Sequence, residues 1–172
     1  MKNLVLIGMP SSGKSTAGVL LAKTIGYGFI DCDLLIQGEE QALLSEIIAN
    51  KGTEGFLAIE ERVNAGLFVS RCVISTGGSV CYCDRAMRHL KEIGTIVYLK
   101  LSAGEVAKRI PSLEKRGVVM RGNVSNVEEL AMQRAPLYEQ YADVTIDCDG
   151  KTIDETVSAI IAAVANKGES NL

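Results

Sequence analysis

The chemistry-bearing residues begin with Gly8-Met9-Pro10-Ser11-Ser12-Gly13-Lys14-Ser15-Thr16, which fits the pattern G-x-x-x-x-G-K-S/T without a mismatch. A glycine-rich loop between a strand and a helix turns several backbone N–H groups into one concavity at the positive end of the helix dipole. That concavity suits a polyphosphate. Ser11, Ser12, Gly13, Lys14, Ser15 and Thr16 are the candidate phosphate-binding positions. Lys14 would reach the β- and γ-phosphates, and the Ser15 hydroxyl would ligate Mg²⁺. The alternative is a glycine-rich turn that holds nothing. It is disfavoured by the flanks, a short apolar run Leu4-Val5-Leu6-Ile7 before the loop and a helical pattern from Thr16 to Ile25 after it.

Two carboxylates follow at Ile30-Asp31-Cys32-Asp33, the end of a second strand-like run. Ligands of open parallel sheets bind beyond the carboxyl ends of the strands, so these groups would face the phosphate loop. One can hold Mg²⁺ through water while the other takes a proton from an attacking hydroxyl. Asp33 could instead simply cap the helix that starts at Leu34-Leu35-Ile36. A third strand-like run ends in Ser75-Thr76-Gly77-Gly78-Ser79-Val80, where two glycines permit close backbone approach to a ligand, or merely a tight turn.

The elements that must position these groups are short. Strands are predicted at Asn3–Ile7, Phe29–Asp31, Cys72–Ser75, Thr95–Leu99 and Val144–Ile146. Helices are predicted at Lys14–Ile25, roughly Leu43–Ala49, Thr53–Val69, Asp84–Ile93, Ala103–Arg109, Val127–Tyr141 and Ile153–Ala165. This alternation predicts an α/β fold, a three-layer α/β/α arrangement around a parallel sheet, in a single domain spanning 1–172. One connection, about 110–126, is long, broken by Pro111, Gly117 and Gly122, and carries Lys115, Arg116 and Arg121. Beside a phosphate site, a basic loop of this length reads as a mobile lid.

Composition narrows the partners. A net charge of -3, with 3 Phe, 5 Tyr and no Trp, argues against nucleic acid. No apolar stretch approaches the ~20 residues of a membrane span, so no membrane is expected either. Lys2 leads straight into the first strand, without room for a signal peptide. The five cysteines lack metal-ligand spacing and His89 is the sole histidine, so free thiols in a cytoplasmic protein are expected. The expected state is a monomer.

In order and spacing, the phosphate loop, Asp31-x-Asp33, Thr76-Gly77-Gly78 and Arg134-Ala-Pro-Leu-Tyr-Glu-Gln-Tyr-Ala-Asp143 resemble the shikimate kinase family. Gly55-Phe56, Glu60-Glu61, Arg109 and Arg116 also fall in place. The resemblance implies a P-loop fold with a five-stranded parallel sheet, close to that of nucleoside monophosphate kinases. It implies transfer of the γ-phosphate of ATP to the 3-hydroxyl of shikimate, with Mg²⁺. Ser11 to Thr16 would then hold ATP, with Ser15 and Asp31 on the metal. Asp33 would bind the acceptor and take its proton. Gly77 and Gly78 would line the acceptor pocket, and Arg134 would grip the acceptor's carboxylate. Arg116 would be the lid arginine, and Arg109 would lie along the adenine, with Lys151 nearby.

The chain departs from that family's pattern at three places. The family's Phe-Arg pair, whose arginine is a second grip on the carboxylate, is here Phe56-Leu57. The family's third glycine is Ser79, and its Arg-Pro-Leu-Leu lid is Arg116-Gly117-Val118-Val119. One missing hydrogen bond to a charged group costs about 1.5–3 kcal/mol, or about tenfold to a hundredfold in affinity. Either Arg121 swings in to replace the lost grip, or the acceptor is another hydroxy acid or sugar acid held by Arg134 alone. A nucleotide-binding module without catalysis is the rival from a different class, and a placed Asp33 and Arg134 argue against it.

Overall fold

A computed structural model describes residues 2–110, 118–122 and 124–167. In chain order the elements are β1 (Asn3–Ile7), α1 (Lys14–Ile25), β2 (Gly28–Asp31), α2 (Cys32–Glu40), α3 (Leu44–Ala65), β3 (Cys72–Ser75), a 3₁₀ turn (Val80–Tyr82), α4 (Asp84–Ile93), β4 (Gly94–Lys100), α5 (Ala103–Arg109), α6 (Val127–Tyr141), β5 (Val144–Asp147) and α7 (Ile153–Asn166). The five strands form one sheet in the order β2-β3-β1-β4-β5, and every neighbouring pair is parallel. β1 lies at its centre, buried at all five positions. That is why Asn3-Leu-Val-Leu-Ile7 reads as a continuous run rather than an alternating one: helices cover both faces. α1 packs on β2, β3 and α7, whereas α4 and α6 pack on β4, and α3 packs on α4.

This strand order brings the functional segments together. Leu6 pairs with Ser75, so the loops leaving β1 and β3 start side by side at the carboxyl edge of the sheet. Thr76 fastens them: its N–H and its hydroxyl both donate to the Leu6 carbonyl, at 3.2 and 2.9 Å.

Beyond one-residue shifts at the ends of β2, β4, β5 and α7, three features differ from the sequence reading. α2 is a full helix of nine residues where only a helix-like start was visible. The two helices predicted around residues 43–49 and 53–69 are joined as α3, with Gly52 at φ 69° and ψ 177° breaking the helical path between them. Only glycine takes up this conformation cheaply. α3 also stops at Ala65, because Gly66 closes it by donating to the Arg62 carbonyl, and residues 66–71 lead into β3 without helix. Among the described residues, no helix is long and apolar enough to cross a membrane. All five cysteines are free thiols.

Candidate active site

The phosphate loop closes directly onto α1. Gly13 is the residue before the helix and sits at φ 91°, in the left-handed region that lets the chain turn from loop to helix without a side-chain clash. Lys14 opens the helix and is buried, with Nζ donating to the Gly8 and Met9 carbonyls at 2.9 and 2.8 Å. Burial lowers its pKa to about 8, opposed by the carboxylate of Asp33. The ammonium thus has carbonyl partners that an anion in the loop could replace. The Ser12 hydroxyl is buried and has no partner, an orphan that a phosphate oxygen would satisfy. The Ser15 hydroxyl lies 3.2 Å from that of Ser75, at the end of β3. The loop fits a polyphosphate, and Ser15 offers the hard oxygen that Mg²⁺ prefers.

Asp31 and Asp33 divide their work between two structures. Asp31 ends β2 and caps α2, its Oδ1 accepting from the N–H groups of Asp33 (3.0 Å) and Leu34 (3.4 Å). The capping role considered for Asp33 therefore belongs to Asp31. Asp33, in the first turn of α2, is released to face the cavity. Burial raises its pKa, Lys14 opposes that shift, and Asp31 adds to it. The result is a more basic carboxylate than one in water.

A cavity of about 310 Å³ joins the phosphate loop to this carboxylate. Ser11, Gly13, Lys14, Ser15 and Thr16 line one end. Asp33, Phe56, Glu60, Gly77, Gly78, Ser79 and Arg134 line the other, with Val118 and Val119 at the lid side. The glycine turn is tightly enclosed. A Cβ on Gly77 would collide with Glu60 Oε1 and come within 2.8 Å of Asp33 Oδ1. The carbonyl of Gly78 accepts a hydrogen bond from the Tyr138 hydroxyl, which fixes the turn to α6.

Arg134 comes from the same helix and is only 1% exposed. Its Nη2 donates to the Val119 carbonyl at 2.5 Å, its Nε to the Tyr82 hydroxyl at 3.4 Å, and its guanidinium lies 5.2 Å from the centre of the Tyr82 ring. Among the described residues no carboxylate lies within ion-pair distance of it. A buried guanidinium on a cavity wall with only neutral partners is a ready seat for an anion.

The other predicted residues stand apart. Arg121 lines a neighbouring cavity of about 220 Å³ with Glu54, Leu57, Ala58, Glu61, Tyr82 and Cys83. Its guanidinium lies 5.7 Å from the centre of the same Tyr82 ring and its Nε 3.6 Å from Glu54 Oε1, so the structure holds it in this neighbouring cavity and not on the wall that Arg134 lines. Leu57 faces that cavity too, which leaves Phe56 rather than Leu57 as the apolar wall of the main one. Asp31 and Ser12 do not line the main cavity. Arg109 ends α5, close enough to Asp149 to lower that carboxyl together with the Ser102 hydrogen bonds that dominate its shift. The start of α7 abuts the phosphate loop, since the Ile153 side chain lies 3.4 Å from the Cβ position of Gly13. Arg116 lies outside the described residues, as does much of the predicted lid. Cys32 is buried and its thiol is pushed up by burial, which makes it a packed, unreactive group.

Sequence reasoning assigned no role to Glu60, Ser79, Tyr82 or Tyr138. A signal existed for Glu60: it falls in the apolar stripe Phe56, Ile59, Val63 of α3, where a charge has no business unless it is used. Ser79 was marked only as standing where the family has a third glycine, and the tyrosines carried no mark.

Comparison with known proteins agrees with this geometry. The shikimate kinase family model matches residues 10–165. A shikimate kinase from Thermodesulfovibrio yellowstonii is 37% identical over 163 residues, covering 94% of each chain. One from Clostridium botulinum is 37% identical over 166 residues, covering 95% of this chain and 96% of its own. Among solved structures, shikimate kinase from Acinetobacter baumannii in complex with shikimate superposes with a TM-score of 0.86 at 25% identity, covering 97% of this chain and 94% of that one.

Proposed function

This chain belongs to the shikimate kinase family, and on that premise we propose that it transfers the γ-phosphate of ATP to a hydroxyl of shikimate. It is a kinase with an alcohol group as acceptor. The observation that carries the acceptor assignment is Arg134, a buried cation on the cavity wall with neutral partners. A small hydroxylated carboxylate supplies the missing anion there and presents a hydroxyl toward Asp33.

Phosphoryl transfer asks little covalent work of a protein, so positioning and charge stabilisation carry the rate. Asp33 orients the acceptor hydroxyl and accepts its proton, a task its raised pKa suits. Lys14 exchanges the Gly8 and Met9 carbonyls for phosphate oxygens and follows the charge as it moves to the acceptor. Gly77 and Gly78 let the acceptor ring lie against bare backbone. Mg²⁺, when bound through Ser15 and through water at Asp31, would neutralise charge on the phosphates. Arg116 is assigned to the lid that closes over them, and Arg109, with Lys151, to the adenine end beside the start of α7. The segment about 110–126 is the lid of this single domain, and its closure would exclude water.

The second reading keeps ATP and changes the acceptor. Leu57 favours it, because α3 provides no cation where the family's pattern has one. Coupled ADP release across a panel of hydroxy acids and sugar acids decides between them. Turnover of shikimate above all others is expected; preference for another acid overturns the assignment of the acceptor, and no turnover at all overturns that of a kinase.

A further inference from the structure

Glu60 is the one fully buried acidic residue among the described residues, 0% exposed, and it lines the acceptor end of the main cavity. Its Oε2 accepts a hydrogen bond of 2.6 Å from the Ser79 hydroxyl. Its Oε1 has no partner and lies against Gly77, on the cavity wall. No cation among the described residues pairs with it. Leu57, its neighbour on α3, faces the other cavity.

The groups around Glu60 come from several elements. Cys32 and Asp33 face it from α2, Lys14 from α1, Arg134 from α6, and Cys81 and Cys83 from the turn after β3. Both flanking thiols of that turn are pushed up by burial and stay neutral, as does Cys32. Lys14 belongs to the phosphate loop. Once Lys14 is engaged by the phosphates of the donor, the acceptor end is left with two carboxylates, Asp33 and Glu60, against one cation, Arg134. An anionic acceptor adds a third negative charge to this buried space, and a proton on Glu60 relieves it. Burial already pushes the Glu60 carboxyl up to about 7; the Ser79 hydrogen bond opposes this and Asp33 adds to it.

We propose that Glu60 receives the anionic acceptor in its protonated form, with Ser79 holding one oxygen so that the acid O–H on the other points to an acceptor oxygen. This rests on the reading of Arg134 as the acceptor's carboxylate site. Acceptor binding then takes one proton from solvent, which Glu60 keeps until the acceptor side empties. Glu60 is a specificity-determining residue, and Ser79 is a positioning residue that acts through it.

The sign follows from linkage. An acceptor that binds only the protonated acid loses apparent affinity by about tenfold per pH unit above the free-state pKa. At saturating MgATP, the shikimate KM of the wild-type protein should be flat below pH 7 and rise above it. The KM for ATP should not follow. Glu60→Gln keeps a neutral donor and should flatten the shikimate profile near its low-pH value. Ser79→Ala removes a hydrogen bond that favours the ionised form, so its rise should move to higher pH. If neither variant folds, shikimate binding to the wild type at pH 8, in buffers of different ionisation enthalpy, should report uptake of about one proton. A flat wild-type KM, an unchanged slope in Glu60→Gln, or no proton uptake overturns the proposal while leaving the kinase assignment standing. Absence of shikimate binding and turnover at every pH removes the acceptor assignment and this proposal with it.

Discussion

The two ends of the cavity are built on different principles. The nucleotide end is one continuous segment, residues 8–16, which offers backbone N–H groups and one lysine to a phosphate. The acceptor end is assembled from α2, α3, the turn after β3 and α6, and apart from the bare backbone of Gly77 and Gly78 it offers side chains. A backbone cradle is indifferent to most substitutions around it, so it matches the family pattern position for position. A side-chain pocket can be retuned one residue at a time, and Leu57 and Ser79 are such changes. The donor is thereby fixed more rigidly than the acceptor.

Substitutions that separate the two ends sharpen this contrast. The largest effect is expected at their meeting point: Asp33→Asn should lower kcat by about 10²–10⁴-fold in steady-state ADP release. Near-normal turnover would remove Asp33 from the role of base. Lys14→Ala should lower kcat by about 10²–10³-fold, the scale of losing one preorganised donor to the transition state. Because Lys14 belongs to the nucleotide end, shikimate binding measured by calorimetry should survive this change. If it did not, the ends would not be separable.

Arg134→Ala should do the converse. It removes a charge-assisted contact, so the acceptor's KM should rise by about 10–100-fold while the KM for ATP holds. A shift confined to the ATP KM would place the acceptor elsewhere. The smallest effect is expected at Arg121, which lies against the Tyr82 ring in the neighbouring cavity. Arg121→Ala should leave the acceptor's KM unchanged. A several-fold rise would mean that Arg121 turns past Tyr82 on lid closure and supplies the cation absent at Leu57.

Tyr82 and Val119 also tie the acceptor end to residues 118–122. Arg134 contacts both, and Thr53 donates to the Met120 carbonyl at 3.4 Å while Gln133 donates to the Arg121 carbonyl at 3.0 Å. An acceptor carboxylate that takes the Arg134 guanidinium competes with the Val119 carbonyl for it. Acceptor binding at Arg134 would thus be felt in residues 118–122.

Much of the fold was legible because each strand is short, apolar and flanked by helix signals. β1, β3, α1, α4, α5 and α6 begin and end where the patterns put them. α2 was harder: Gly38 and the acidic Glu39-Glu40 blur its end, and its cap, Asp31, is also the last residue of a strand. The site was legible where a motif is local. Glu60 and Ser79 lie 19 residues apart and meet only because α3 runs past the carboxyl end of β3. Leu57 reads in the sequence as a change to the acceptor pocket, yet its side chain lines the next cavity. Helical phase alone could not say which of two hollows one flank of α3 would face.

The sequence by itself determined a phosphate loop between strand and helix, a paired carboxylate at the end of β2, and an arginine on a late helix. These follow from local rules: backbone conformation, capping and periodicity act within a few residues. Tertiary structure decided which aspartate caps α2 and which faces the cavity. It buried Arg134 among neutral partners, placed Arg121 in the neighbouring cavity, and brought Ser79 onto Glu60. Charge state and pairing depend on what surrounds a group on every side, and only the packed sheet and its helices supply those surroundings.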